Sequence, residues 1–315
     1  TEPKPPPSAV LFENVRIFDG TSARLSAPSN VLVVGNLIQS ISTQATAPPT
    51  GSALTRIQGG GRTLMPGLID NHVHIALSTT GQAELLSDAT TMDVLQARAT
   101  AEARDMLMRG FTSVRDMGGP MLTARPAIDK GELPGPRIYG SGAMISQTSG
   151  HGDSRLPQER SRRFFGEVSK GEQLGANYIA DGRDEVLTAT RENLRAGATQ
   201  IKVMAGGGAA SAYDPLDVTQ YTLDEMKAAV EAASDWNTYV TVHAYTPRAV
   251  RRAVEAGVLC IEHGQLLDEE TIAFDTDHDE VESPSCIQNL TICFLGGRRG
   301  EKPAILLSGS VRLHQ

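Results

Sequence analysis

Leu68-Ile69-Asp70-Asn71-His72-Val73-His74 is the stretch on which the fold reading turns. It follows Met65-Pro66-Gly67 and is a short apolar run ending in two histidines spaced two apart. Residues i and i+2 of a strand point to the same side, so one strand end presents both imidazoles together. Downstream, short apolar strands alternate with helical stretches. A pattern rich in Ala, Leu, Met, Glu and Arg predicts a helix over 92–109, closed by Gly110. Thr112-Ser113-Val114-Arg115-Asp116 reads as the second strand, with a short helix over 123–130 after it. The third strand, Arg137-Ile138-Tyr139-Gly140-Ser141-Gly142, leads into a long polar loop, and a helix over 184–196 ends before Gly197. Gln200-Ile201-Lys202-Val203-Met204 is the fourth strand. Thr222 and Glu225 form a capping box for the next helix. Tyr239-Val240-Thr241-Val242-His243 is the fifth strand, followed by a helix over 246–256 that Gly257 closes. Leu259-Cys260-Ile261-Glu262-His263 is the sixth strand. Six units of roughly 33 residues predict parallel strands with helices outside them, an α/β fold of the (β/α)8 TIM-barrel type. A doubly wound open sheet is the alternative. No G-x-G-x-x-G follows the first strand, so a dinucleotide-binding reading lacks its fingerprint.

Upstream of this region the pattern is β-rich. Ala9-Val10-Leu11-Phe12, Val15-Arg16-Ile17-Phe18, Val31-Leu32-Val33-Val34 and Leu37-Ile38-Gln39-Ser40-Ile41 are separated by Asp19-Gly20 and Gly35-Asn36 turns. They predict the hairpins of a small β-sheet lobe over 9–62. The barrel region is expected over 63–273, and a Pro-rich tether over 1–8. A start at Thr1 rather than Met is read as a removed signal peptide, giving a periplasmic or secreted location, with a cytoplasmic one as the alternative.

Composition narrows the function classes. The 315 residues carry a formal charge of −8, with 40% hydrophobic and 21% charged residues, which fits a globular chain with a real core. No Lys/Arg run suggests a phosphate-tracking surface, so nucleic acid is not an expected partner. No apolar run approaches the roughly 20 residues that span a bilayer, so no membrane association is expected. Cys260, Cys286 and Cys293 are too few for a disulfide framework.

The histidines carry the chemistry. Seven are present, at 72, 74, 151, 243, 263, 278 and 314. His72, His74, His243 and His263 fall at the C-terminal tips of predicted strands, where a barrel builds its active site. Lys202 lies inside an apolar strand, where its charge is costly to bury without a partner. Together these positions point to a metal site. Gly206-Gly207-Gly208 lacks the Lys-Ser/Thr that completes a phosphate loop and is read as a place for backbone to approach a substrate. Asp116 is read as structural.

Pro66-Gly67-Leu68-Ile69-Asp70-Asn71-His72-Val73-His74 resembles the first-strand signature of the metal-dependent amidohydrolase superfamily. Ile201-Lys202-Val203-Met204, Val242-His243-Ala244 and Ile261-Glu262-His263-Gly264 resemble its later strand signatures. Ser146-Gln147-Thr148-Ser149-Gly150-His151-Gly152-Asp153 resembles a loop of the imidazolonepropionase-like branch, which holds prolidases, carboxypeptidases and ochratoxin-hydrolysing amidases. The likeness covers about residues 9–272. It implies two Zn2+ ions per chain. His72 and His74 would bind one, His243 and His263 the other, and a carboxylated Lys202 would bridge them. A metal-activated hydroxide would then attack a small-molecule amide or peptide bond, with His151 stabilising the oxyanion. A cyclic-amide hydrolase of the imidazolonepropionase type, and a catalytically impaired metal-binding or interaction fragment, are the competing readings. Histidine and carboxylate-like ligands also accept manganese, cobalt or nickel.

The chain departs from this family at its end. The family's strand-eight aspartate, in a Gly-Thr-Asp context, has no counterpart, and only 52 residues follow His263. Asp275-Thr276-Asp277 echoes it without a strand before it. The barrel is therefore expected to be C-terminally incomplete, with an atypical tail over 274–315 of frameshifted, spliced or otherwise altered origin. Open strand edges favour association, so a homo-oligomer is expected.

Overall fold

The computed structural model describes residues 8–209, 211, 213–275, 290–295 and 304–309. The Pro-rich opening over 1–7, Thr276, Asp277, His278, Cys286 and His314 lie outside the described residues. The chain divides into two compact units, Thr1–Gly67 and Leu68–Gln315.

The first unit is a small mixed sheet. Its strands are β1 (Ser8–Ile17), β2 (Ser29–Val34), β3 (Leu37–Ser42), β4 (Ala53–Gln58) and β5 (Thr63–Leu64). The order is β3-β2-β1-β4, with β5 also pairing β1. The β2–β3 hairpin turns at Gly35, whose φ of 62° suits a residue without a Cβ. The two apolar runs over 9–12 and 15–18 read as separate segments, yet they form one strand. Asn14, at φ 54°, lets the chain bulge where the β1–β2 register shifts between Phe12 and Val15. Ser8, expected in the tether, begins this strand, and the rest of the tether reading falls outside the described residues. Pairing of β4 and β5 with β1 is parallel, so the lobe is more than a set of hairpins. Ala9, Leu11 and Leu32 form its core.

The second unit contains β6 (Leu68–Val73), β7 (Phe111–Asp116), β8 (Arg137–Gly140), β9 (Met144–Ser146), β10 (Asn177–Ile179), β11 (Ile201–Met204), β12 (Val240–Ala244), β13 (Cys260–His263), β14 (Leu290–Leu295) and β15 (Ala304–Gly309). Strands β6-β7-β8 form one parallel sheet. A second sheet runs β10-β9-β11-β12-β13-β14-β15, parallel as far as β13. Long helices connect the strands: Met92–Met108, Arg183–Arg195, Leu223–Asp235 and Pro247–Ala256. Their ends follow local chemistry. Thr222 and Glu225 satisfy each other's backbone N–H groups in a capping box, a device worth about 1 kcal/mol. Thr246 caps the N-terminus of Pro247–Ala256, and Gly257 ends it at φ 94°. Buried alanines at 228, 229, 232, 233, 249 and 253 let two helices approach β11 and β12 closely, over a core with Val203, Val242 and Ile261.

Two regions differ from the sequence reading. The polar loop expected after the third strand contains β9, β10 and two one-turn helices, Arg162–Phe165 and Lys170–Gln173. These pieces are too short to show a period. In the tail, β14 pairs antiparallel with β13, and β15 pairs antiparallel with β14. The run over 290–295 thus covers the β13 edge that six parallel units would leave open, and 304–309 extends the sheet beyond it.

Candidate active site

The C-terminal ends of β6, β12 and β13 bring four histidines into one file, and a loop adds a fifth. Ring centroids are 5.2 Å apart for His74 and His72, 4.9 Å for His72 and His263, and 4.6 Å for His263 and His243. The His151 ring stacks on His243 at 4.0 Å and 18°. Lys202, on β11, is 1% exposed. Its charge is felt by His72, His74, His151, His243 and His263 alike. All six residues singled out from the sequence therefore meet in one place.

Hydrogen bonds fix the tautomers of three rings. His72 Nδ1 lies 2.7 Å from Glu262 Oε2, and His74 Nδ1 lies 3.2 Å from the Gly118 carbonyl oxygen. Both partners only accept, so each Nδ1 carries the proton and each Nε2 a bare lone pair. These two Nε2 atoms face each other at 3.3 Å with no proton to share. His243 Nε2 donates to the Gly207 carbonyl oxygen at 3.0 Å, which leaves its Nδ1 bare. His263 is shaped by its backbone instead, with φ at 82°, and Tyr245 stacks on its ring at 5.1 Å.

Burial sets the charge states. It pushes His72 down to about 4 and His74 to about 3, and neighbouring positive groups add to the effect. His263 falls to about 2 and His243 falls well below the usual imidazole value for the same first reason. Burial also lowers Lys202 to about 8, against the pull of the Glu262 carboxylate. At neutral pH the site is a set of neutral imidazoles with a buried lysine that is still mostly protonated. Among the described residues, no group of three or more His, Cys, Asp and Glu side chains stands close enough together to hold a metal ion as placed. What is present is the donor chemistry: neutral imidazoles with converging lone pairs, whose repulsion a divalent cation would relieve. The residues fit a metal.

Several functional residues escape sequence reasoning. Glu262 is wholly buried behind His72; its Oε1 accepts from Arg115 Nη2 and Thr241 Oγ1. Burial pushes its carboxyl up, but the His72 hydrogen bond and the Arg115 and Lys202 charges outweigh this and hold it ionised. Asp214 and Ser211 hold His151 Nδ1, at 3.1 and 2.9 Å, and Gln220 accepts from the His151 backbone N–H at 2.8 Å. A charged residue inside an apolar strand is the signal that marks Arg115 and Glu262; nothing local marks Asp214. The glycine run is also used differently from the expectation. A Cβ on Gly208 would fall 2.0 Å from His151 Cε1, and one on Gly207 would fall 1.8 Å from the Pro215 carbonyl oxygen. These glycines admit the protein's own ring and loop. Asp116 accepts from the Gly118 and Ile75 N–H groups and is raised to about 7 by burial. It braces the loop behind His74.

Fold and site define an α/β protein with a polyhistidine centre at its parallel strand ends. A profile of the Amidohydrolase family matches residues 63–279, and the chain belongs to that family. It is similar to ochratoxinase of Aspergillus niger, 36% identical over 212 residues, which make up 66% of this chain and 44% of that protein. The chain thus spans less than half the length of this curated relative. Among solved structures it is similar to a prolidase complexed with N-methylphosphonate-L-proline, with a TM-score of 0.76 and 36% identity over 86% of this chain and 64% of that one. It is also similar to a Xaa-Pro dipeptidase with bound methionine, with a TM-score of 0.71 and 30% identity, covering 84% and 64% of the two chains. The structure of A. niger ochratoxinase gives a TM-score of 0.71 and 29% identity, covering 86% and 64%.

Proposed function

We propose that this protein is a metal-dependent hydrolase that cleaves an amide or peptide bond in a small substrate. One observation carries the reading: the bare Nε2 atoms of His72 and His74, 3.3 Å apart, in a buried site shared with His243, His263 and Lys202. Family membership and the likeness to ochratoxinase, prolidase and Xaa-Pro dipeptidase support the choice of bond. In this reading the two parallel sheets are arcs of one (β/α)8-type barrel. Contacts between the arcs support it: His72 on β6 meets Glu262 and His263 on β13, and the Thr199 N–H donates to the Gly140 carbonyl at 2.9 Å.

His72 and His74 would hold one divalent cation, His243 and His263 a second, and Lys202 would bridge them as a carbamate; zinc is the proposed metal. When bound, such a metal lowers the pKa of coordinated water towards about 7 and polarises a carbonyl. The chain's own residues do the rest. Glu262, Gly118 and Gly207 hold the protons of three imidazoles on one nitrogen each and so leave the other nitrogen free to serve as a ligand. Lys202, with its pKa lowered to about 8, offers an appreciable unprotonated fraction at neutral pH, the form that condenses with carbon dioxide. His151 gives its Nδ1–H to Asp214, leaving Nε2 as the nitrogen able to reach a substrate. The Asp214 carboxylate favours the imidazolium form, in which Nε2–H donates to a developing oxyanion, against the burial that favours the neutral ring.

The test is a panel of N-acyl amino acids and Xaa-Pro dipeptides given to purified protein. Hydrolysis of one or more members, abolished by chelator and by His72→Ala, is expected. Hydrolysis that survives both treatments would refute the metal mechanism.

A further inference from the structure

We propose that the buried Arg115–Glu262 pair is a positioning device: it fixes the His72 proton on Nδ1, so that the Nε2 lone pair is turned to meet that of His74. The proposal rests on the metal reading above and assigns a task to residues outside the ligand set.

Glu262 divides its two oxygens between different duties. Oε1 accepts from Arg115 Nη2 and Thr241 Oγ1, and Oε2 accepts from His72 Nδ1 at 2.7 Å. Arg115 is itself tied on three sides. Its Nε donates to the Asn71 carbonyl at 2.8 Å, and its Nη1 reaches Tyr239 Oη at 3.2 Å and Cys260 Sγ at 3.3 Å. The guanidinium is therefore a strut between the backbone immediately before His72 and the two strands that carry His243 and His263. With Arg115 and Thr241 occupying Oε1, the carboxylate cannot rotate away from His72 without leaving a buried charge unpaired.

The device matters because an imidazole has two tautomers of similar energy in water. With the proton on Nε2, His72 would aim an N–H at His74 Nε2 and close the gap between the two donors. A charge-assisted hydrogen bond to a buried carboxylate excludes that form. His74 has only a neutral carbonyl at the corresponding position, so the two ligands of one pair are braced unequally. Stability alone does not account for the arrangement. A buried ion pair is often replaceable by apolar residues without loss of stability, so its presence directly behind a ligand points to orientation.

The experiment uses the full chain, stripped of metal by chelation and titrated with Co2+, whose visible absorption reports binding. Glu262→Gln, close to isosteric and unable to accept from Arg115 and His72 as a carboxylate does, is expected to weaken Co2+ binding about ten- to hundred-fold. Far-UV circular dichroism of the apo protein is expected to be unchanged. Thr241→Val, which removes one bond to Oε1 and no charge, is expected to weaken binding less than Glu262→Gln does. Wild-type affinity in a folded Glu262→Gln protein would overturn the proposal and leave the hydrolase reading standing. A wild-type protein that binds no Co2+ would overturn the metal reading itself, and with it the task assigned to the pair. Nitrogen NMR of 15N-histidine in the wild-type apo protein decides the tautomer even where the variant does not fold. Protonation of His72 at Nδ1 is expected, and protonation at Nε2 would overturn the proposal.

Discussion

The two histidine pairs lie side by side but are held by different forces. His72 and His74 hang from hydrogen-bond acceptors, a buried carboxylate and a backbone carbonyl. His243 has a carbonyl acceptor as well, and two rings also pack against it. His151 stacks on one of its faces and the edge of Tyr245 meets it at 4.9 Å. His263 has a left-handed backbone at φ 82° and a ring set among His72, His243 and Tyr245. A strained residue of this kind persists only where its surroundings over-determine it, and such strain gathers at functional sites. A buried carboxylate thus distinguishes the first pair, and ring stacking around His243 and His263 the second. Substitutions that respect one kind of support should leave the other pair intact.

Removing a ligand from either pair is the most severe way to break this comparison. His72→Ala and His263→Ala are each expected to lower kcat/KM by on the order of 10³-fold or more, through lost stabilisation of the transition state. Metal analysis separates them: each variant should lose about one ion and keep the other. Loss of both ions from either variant would show that the pairs do not act separately.

Lys202, whose charge reaches both pairs, is expected to move stability and activity in opposite directions. Lys202→Met replaces a buried amine by an apolar chain of similar length. It should stabilise the apo protein by at most about 3 kcal/mol, the burial cost implied by a pKa lowered from 10.5 to about 8, read as a higher Tm, and abolish metal-dependent hydrolysis. A Tm unchanged or lowered would show that the buried amine has a compensating partner.

Acid should weaken the apo protein through both pairs. In the folded state His72 titrates near 4, while an unfolded histidine titrates near 6.5. A lowered histidine pKa means that the unfolded state binds more protons, so stability is present above about 6.5 and is lost as pH falls towards about 4. At pH 5 His72 alone is expected to cost about 2 kcal/mol, measurable as a Tm that falls from pH 7 to pH 5 and falls less in His72→Ala. An equal fall in the variant would assign the acid sensitivity elsewhere.

The smallest effect is expected at the packed pair. Tyr245→Leu removes the ring stacked on His263, an aromatic contact worth about 0.5–1.5 kcal/mol. Co2+ affinity should drop less than ten-fold, and the second ion should be the one affected. An effect as large as that of Glu262→Gln would erase the distinction between electrostatic and packing support.

How much of this was legible in sequence depended on the range of the interactions involved. The strand ending in His72 was predicted over 68–74 and runs Leu68–Val73, because an apolar run after Pro-Gly is a local signal. The capping box at Thr222 and the glycine closing the helix at 257 were readable for the same reason. Clustering of His72, His74, His243 and His263 follows from their places at the C-terminal ends of strands, and Lys202 is marked by its charge inside an apolar strand. Arg115 and Glu262 were visible as charges in apolar strands, but their pairing joins β7 to β13 across 147 residues and has no local signature. Asp214 was hidden because it acts from an irregular segment. The glycine run over 206–208 reads in sequence as a place for backbone to approach a substrate, since sequence shows that space is needed there and does not show that His151 and the Pro215 carbonyl fill it.

The central claim is that the histidine file works only as a metal centre. Its most direct test is the hydrolysis rate of the metal-stripped protein, on the best substrate of the amide and dipeptide panel, as Zn2+ is added stepwise. The account predicts no turnover without metal and a rise to a plateau at about two equivalents per chain. A rate independent of added metal, or no turnover in protein shown to hold two ions, would contradict it.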